Sequence, residues 1–534
     1  MNKNKQSKPA QKSGTTQSAA PERKVRKPFL LSASLAFFVF IWAWAAVYYG
    51  DVFHVARNNS FWSFETYQMQ YILCMPLGWL WYVGRMLLQL FAHPWLGGMV
   101  LAAMLSVGSW AVNYSLRIPA KYRWAGFLPA LAFIAIVSYQ GMNLYYEAET
   151  GRILGIPALV CGILCIVALL VRIFGKSQTP ALLCSPKDET PRQNRTQILV
   201  CLLGIGLSMA FVEWQRPYVR VVDKMMLQND NQDWTGTQET ARKHASLSNR
   251  PMAANYAFSL LHTDKQCERL YDIRMDYDSL YLFGWDGRHN NASLMYTADG
   301  NYHAGMVQSA YHTCMEQTVM CGPMVHQLEL MIKCALMKGE WNLAKKYLHI
   351  LRSVPFEGDF CEKYAAMVKN HSLVESDPEM AHIRLTEPMH DSFEAAYQQP
   401  VFLGYNLKLY EGRSINALWN SLAVCLYTKL MPDFLARIQP LQGSMPPENV
   451  ADGILLNMSK HPELEKMFTG MDIRKGRING YLNAVQPFMK DRSGNARKLF
   501  DKYKGYYPYY YFFGNLKATK KTNTNTSASS SGVN

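Results

Sequence analysis

Five apolar runs, at residues 29–49, 95–114, 124–142, 153–174 and 198–212, crowd the N-terminal part of the chain, and none of comparable length follows. Most approach the ~20 residues that a helix needs to cross a ~30 Å hydrocarbon core, the last being short. A sixth stretch, residues 71–91, holds Pro76, Gly78, Gly84 and Arg85, with Gly78, Tyr82, Arg85 and Gln89 on one helical face. An arginine at bilayer centre costs about 2.5–3.5 kcal/mol on insertion scales. The pattern therefore predicts an amphipathic helix lying in the interface.

From Glu213 onward the apolar spacing is helical, with little strand signature. Val325, Leu328, Ile332, Ala335 and Leu336 mark one apolar face. Lys338-Gly339-Glu340 makes a turn, and Leu343, Ala344, Tyr347, Leu348 and Leu351 mark a second helix ended by Pro355. Two such helices form an αα-hairpin, which buries its face by stacking on neighbours. Gly339 to Ala344, closed by Pro355, looks like a degenerate tetratricopeptide unit. A second candidate unit starts at Asp233-Trp234 and runs through Ala241 to Ala257, Leu260 and Leu261. A third starts at Ser414, an N-cap before Ile415, Leu418, Leu422 and Leu426, with Pro432 opening the next helix. The expected fold is all-α: an N-terminal multi-pass transmembrane domain (28–212), then a soluble, tetratricopeptide-like helical domain (213–516).

Composition and charge sharpen this layout. Residues 1–27 and 517–534 are polar tails that cannot bury enough apolar surface to fold. The first run follows a basic tail and contains Ala43-Trp44-Ala45, the form of a cleavage site, but its length and aromatic content predict an uncleaved signal anchor. The net charge of +15 invites a nucleic-acid reading. However, the basic residues gather in the N-terminal tail, around Arg117, Lys121 and Arg123, and between Arg172 and Arg195. That is the distribution by which membrane proteins set orientation, so no nucleic-acid partner is expected. With five crossings these segments share the cytoplasmic side and the helical domain faces outward; a sixth crossing at 71–91 would reverse that side.

The chain also resembles an uncharacterised family of bacterial multi-pass membrane proteins that end in a tetratricopeptide-like domain. The resemblance rests on the layout of runs, on Met75-Pro76-Leu77-Gly78 to Gln89-Leu90-Phe91 before Pro94-Trp95-Leu96-Gly97, and on the aromatic end from Tyr506 to Phe513. It implies the bacterial inner membrane and carries no catalytic residues.

Candidate chemistry is sparse. Asp51 and Glu65 follow the first run, where a carboxylate could act as a base or hold a metal on a lipid-linked sugar; as single residues they read more simply as solvated loop carboxylates. His289, His303, His312 and His326, with Cys314 and Cys321, lack the ligand spacing of structural zinc sites, so no metal or cofactor is expected. The 11 cysteines read as core residues, with one bridge from Cys314 or Cys321 left open. Tyr507, Tyr510 and Phe513 belong to the densest aromatic run and are candidates for stacking on a ligand, against the plainer reading of core packing. Phosphate-loop, dinucleotide, zinc-protease and nucleophile-elbow motifs are all missing. The resulting expectation is an integral membrane protein that presents its helical domain to an envelope protein partner. The alternative is a lipid-linked glycosyltransferase-type enzyme acting through Asp51 or Glu65.

Overall fold

The computed structural model describes residues 32–146, 149–174, 191–247, 250–275, 292–387 and 414–514, all helix, turn or loop, with no β-strand among them. Ser32 caps α1 (Ala33–Ala43), its side chain accepting from the Leu35 amide. A π-turn over Trp44–Tyr48 continues α1, and the axis then bends by 61° into α2 (Gly50–Asn58). Next come α3 (Thr66–Leu73), α4 (Gly78–Gln89), α5 (Pro94–Ser115), α6 (Leu128–Gln140), the single turn α7 (Asn143–Tyr146), α8 (Arg152–Phe174) and α9 (Pro191–Gln215).

Four helical segments, Pro94–Ser115, Lys121–Gln140, Arg152–Phe174 and Pro191–Gln215, are long and apolar enough to cross a membrane; the bent pair α1–α2 makes up to five. α5 packs against α1, α6 and α8, and α9 packs against α1 and α6. The stretch at 71–91 is not among the segments long and apolar enough to cross. Its helix, α4, has 12 residues, roughly 18 Å of rise, well under the ~30 Å core. It packs along α8 through glycines: a Cβ on Gly84 would run into the Gly151 carbonyl, and one on Gly155 into the Leu80 carbonyl. Arg85, on its buried face, forms a two-pronged ion pair with Glu149 at 2.6 Å.

The remaining helices fall into two groups by what they bury. α10 (Tyr218–Asp230), α11 (Trp234–Lys243), α12 (Arg250–Leu261) and α13 (Gln266–Arg269) join α21 (Ile415–Thr428), α22 (Met431–Arg437), α23 (Glu448–Asn457), α24 (Leu464–Met467), α25 (Met471–Val485), α26 (Arg492–Tyr503) and α27 (Tyr507–Phe513). Their core is continuous with that of the apolar bundle. Between them in sequence, α14 (Ala292–His303), α15 (Val307–Cys321), α16 (Val325–Met337), α17 (Trp341–Leu351), α18 (Gly358–Lys369), α19 (Ser372–Ser376) and α20 (Pro378–Thr386) surround a second core. Phe61, from the loop after α2, inserts into that second core, and the Val325 amide donates to the Ser60 carbonyl at 3.1 Å.

The hairpin read from the sequence is α16–α17, with Gly339 at φ 73 in the turn. The cap read at Ser414 is present, its side chain accepting from the Ala417 amide at α21, and Asp233, where the second candidate unit starts, accepts from the Gly236 amide at α11.

Candidate functional site

A cavity of about 550 Å³ lies where the two cores meet. Its floor is α2 (His54, Arg57, Asn58) with His93 before α5; its side is the end of α10 and the turn after it, Asn229 to Gln232. The helical array supplies the rest: Asp299, Tyr302 and His303 from α14, His326, Glu329 and Lys333 from α16, Glu357, Phe360, Lys363 and Tyr364 around α18, and Glu379 from α20. His326, Glu329 and Lys333 fall at helical spacing on one face of α16. Its other faces bury Leu328, Met331, Ile332, Cys334 and Ala335, so the charged row is drawn inside with them.

The charges are matched in pairs. Arg57 pairs with Glu357, both almost fully buried, and donates also to the Pro355 carbonyl at 2.7 Å and to Gln89 Oε1 at 3.1 Å. His326 Nε2 lies 2.8 Å from Asp299 Oδ1, and Lys333 Nζ 3.0 Å from Glu379 Oε1. Lys363 pairs with Asp377 at 2.9 Å. Burial alone would strip the charge from His326, but the Asp299 carboxylate outweighs it and lifts His326 to about 10. In the same way burial works to raise Asp299 and Glu379, yet His326 and Lys333 respectively hold them below the usual carboxylate range.

Three lining carboxyls stand outside these pairs: Asp359, which is exposed, and Asp230 and Glu329. Burial pushes Glu329 well up, and the neighbouring Glu357 adds to the rise. Burial also raises Asp230. His303 is driven down to about 4 by burial and shares a 2.8 Å hydrogen bond with His262, whose ring stacks on Trp234 at 4.0 Å. One cavity thus holds carboxyls displaced in opposite directions, the division of labour that acid–base chemistry uses. At its rim Phe356 has φ 69, a conformation costly for a bulky side chain, and its ring meets His93 edge-on at 5.2 Å. Strain of this kind gathers at ligand sites.

The residues singled out from sequence lie mostly elsewhere. Asp51 is exposed in the first turn of α2, and Glu65 is exposed at the start of α3; neither lines the cavity. Tyr507, Tyr510 and Phe513 are buried in the core, with the Tyr507 hydroxyl donating to the Leu426 carbonyl at 3.2 Å and Tyr510 to the Tyr427 carbonyl at 2.9 Å. Their rings are consumed by packing and present no face to a ligand.

Of the histidine and cysteine set, His303 and His326 reach the cavity, His312 and Cys321 are exposed or nearly so, Cys314 is buried, and His289 lies outside the described residues. Among the described residues no three His, Cys, Asp or Glu side chains converge as metal ligands, and the cysteines are free thiols. The sequence reading missed Arg57, Glu329, Lys333, Glu357 and Glu379.

Residues 143–514 match the model of a family of unknown function (DUF6057). No curated protein and no solved structure matches.

Proposed function

The chain belongs to the DUF6057 family, and we propose that it is an integral protein of the bacterial inner membrane. Its helical array, tetratricopeptide-like in its paired helices, faces the periplasm and closes over the membrane bundle to bind a neutral, hydroxyl-rich ligand of saccharide type. The observation that carries this reading is the charge-matched cavity at the seam. Four ion pairs cancel, and of the remaining lining carboxyls Asp230 and Glu329 are moved toward their neutral form. A phosphate would meet carboxyls in excess there, and burial holds Asp230 and Glu329 back from pairing with an ammonium. A polyol can accept from Arg57, His326 and Lys333, donate to the carboxylates, and lay its apolar face on Phe356 or Phe360. The volume is that of an ordinary small-molecule site.

The sequence pointed first to a protein partner in the envelope. That reading is narrowed here, because Phe61 and Arg57 already occupy the side of the array next to the bundle. Catalysis on a membrane-linked sugar is the second reading. The displaced pair Glu329 and Asp299 supports it, taking the roles that sequence gave to Asp51 and Glu65.

The test is saturation-transfer NMR or calorimetry on the detergent-solubilised full chain, with neutral oligosaccharides, sugar phosphates and amino sugars as probes. Neutral sugars should bind, and Lys333→Ala should remove binding. Selective binding of the charged probes, or binding untouched by Lys333→Ala, overturns the proposal. Topology reporters after Val212 and between Arg117 and Arg123 test the membrane orientation: a cytoplasmic reporter after Val212, or a periplasmic one between Arg117 and Arg123, sinks it.

A further inference from the structure

A second cavity, of about 730 Å³, lies within the apolar bundle and shares no lining residue with the polar one. It is a slot between α6 and α8, floored by α5, which packs against both. Small side chains make the room. A Cβ on Gly108 would stand 3.6 Å from Cys161 Sγ of α8, its nearest neighbour, and Pro129, Ala130 and Ala132 line the α6 wall. Ile136 and Ile156 line it too and are about half exposed, so the slot opens sideways from the bundle.

Polarity is confined to two places. One end carries Gln140, Glu149 and Arg152. Deeper, Ser109 is 4% exposed and its hydroxyl has no hydrogen-bond partner, although a helical serine normally satisfies itself on the preceding turn. Along α6 the lining runs from Pro129 to Gln140, roughly 16 Å at 1.5 Å per residue. That is about half the ~30 Å hydrocarbon core, the depth of one leaflet.

We propose that this slot binds one acyl chain of a bilayer phospholipid, with its phosphate-bearing head at the Gln140–Glu149–Arg152 rim. The helices that form it are those long and apolar enough to cross a membrane, so what reaches its open side is hydrocarbon. At one end the Arg152 guanidinium and the Gln140 carboxamide supply the donors that a phosphodiester head accepts from, while Glu149 is held by Arg85. The buried Ser109 hydroxyl, placed farther along the slot, is within the stretch that would meet the ester-bearing chain. This inference does not rest on the saccharide reading of the other cavity, and either can fail alone.

The experiment reconstitutes the full chain in phosphatidylethanolamine vesicles that contain a phospholipid with a photoreactive diazirine in its acyl chain, followed by mass-spectrometric mapping. Labelling should concentrate on the slot-facing residues of α5, α6 and α8 and fall at least about fivefold with excess unlabelled phospholipid, as a saturable site requires. Ala132→Trp and Ile156→Trp, which fill the slot from partly open positions, should cause a similar loss. Leu169→Trp, on α8 outside the slot, should not. Labelling that does not saturate in the unaltered protein, or that spreads evenly over Leu199, Leu203 and Leu207 of α9, means annular lipid only and overturns the proposal. Because saturation is read on the native chain, the outcome stands even if a tryptophan variant misfolds.

Discussion

Arg57 and Glu357 stand 300 residues apart in sequence and form an ion pair in which each side chain keeps less than a tenth of its surface exposed. The pair joins the helix that continues the first apolar run to the loop that opens α18, and it seals the base of the polar cavity. Removing one member leaves a buried charge uncompensated, which costs roughly 3–5 kcal/mol, whereas replacing both by apolar residues is often close to neutral. Arg57→Ala should therefore lower the melting temperature strongly in detergent, and Arg57→Met with Glu357→Leu should recover most of the loss. Equal melting temperatures for Arg57→Ala and the unaltered chain would show that the seam is open in solution.

Alkaline pH should loosen the array. His326 sits at about 10, above its ordinary 6.5, because of Asp299. A raised histidine stabilises fully below about 6.5, and the contribution is lost as pH climbs through about 10. Asp299, held below its usual value, contributes above the unfolded carboxylate range and loses that contribution as pH falls through its lowered one. Thermal melts from pH 6 to 10 should slope downward, and His326→Gln should flatten the slope while lowering the plateau at pH 6.

Glu329 predicts the opposite response to mutation. Its carboxyl is raised by burial, so the folded state binds a proton that the unfolded state gives up above about 4.5, and stability falls as pH rises past that point. Glu329→Gln keeps the shape and removes the proton cost. It should raise the melting temperature at pH 7 and have little effect at pH 4. If Glu329 is also the acid of a transfer reaction, the same variant abolishes turnover while ligand affinity changes little.

The aromatic end should behave as structure. Tyr507→Phe gives up one hydrogen bond, worth about 1 kcal/mol, and Tyr507→Ala opens a core cavity at roughly 3–5 kcal/mol. Saccharide binding per folded molecule should be unchanged by Tyr507→Phe and by Tyr510→Phe. Asp51→Asn and Glu65→Gln, both on exposed side chains, should stay within about 0.5 kcal/mol of the unaltered chain and leave binding intact.

The contrast between these groups shows what the chain announces locally. Pro94–Ser115 was legible as residues 95–114 because a long apolar run needs no partner to be recognised. Ser414 and Gly339 were legible because caps and turns are local chemistry. The cavity was not, because His326, Glu329 and Lys333 lie off the apolar face by which α16 was recognised, and what covers them comes from residues 54–58, far away in the sequence. One signal was there: α16 also buries Leu330, Met331 and Cys334, residues off that face too. A helix apolar nearly all round is an inside helix, and its charges must then be inside too.

The 61° elbow between α1 and α2 has a mechanical outcome. One wall of the polar chamber is the far arm of a rod whose near arm is Ala33–Tyr48, a length of chain that a bilayer would tilt to suit its own thickness. His54 and Arg57 stand on that far arm facing Glu357, so the angle of the elbow sets how wide the chamber is.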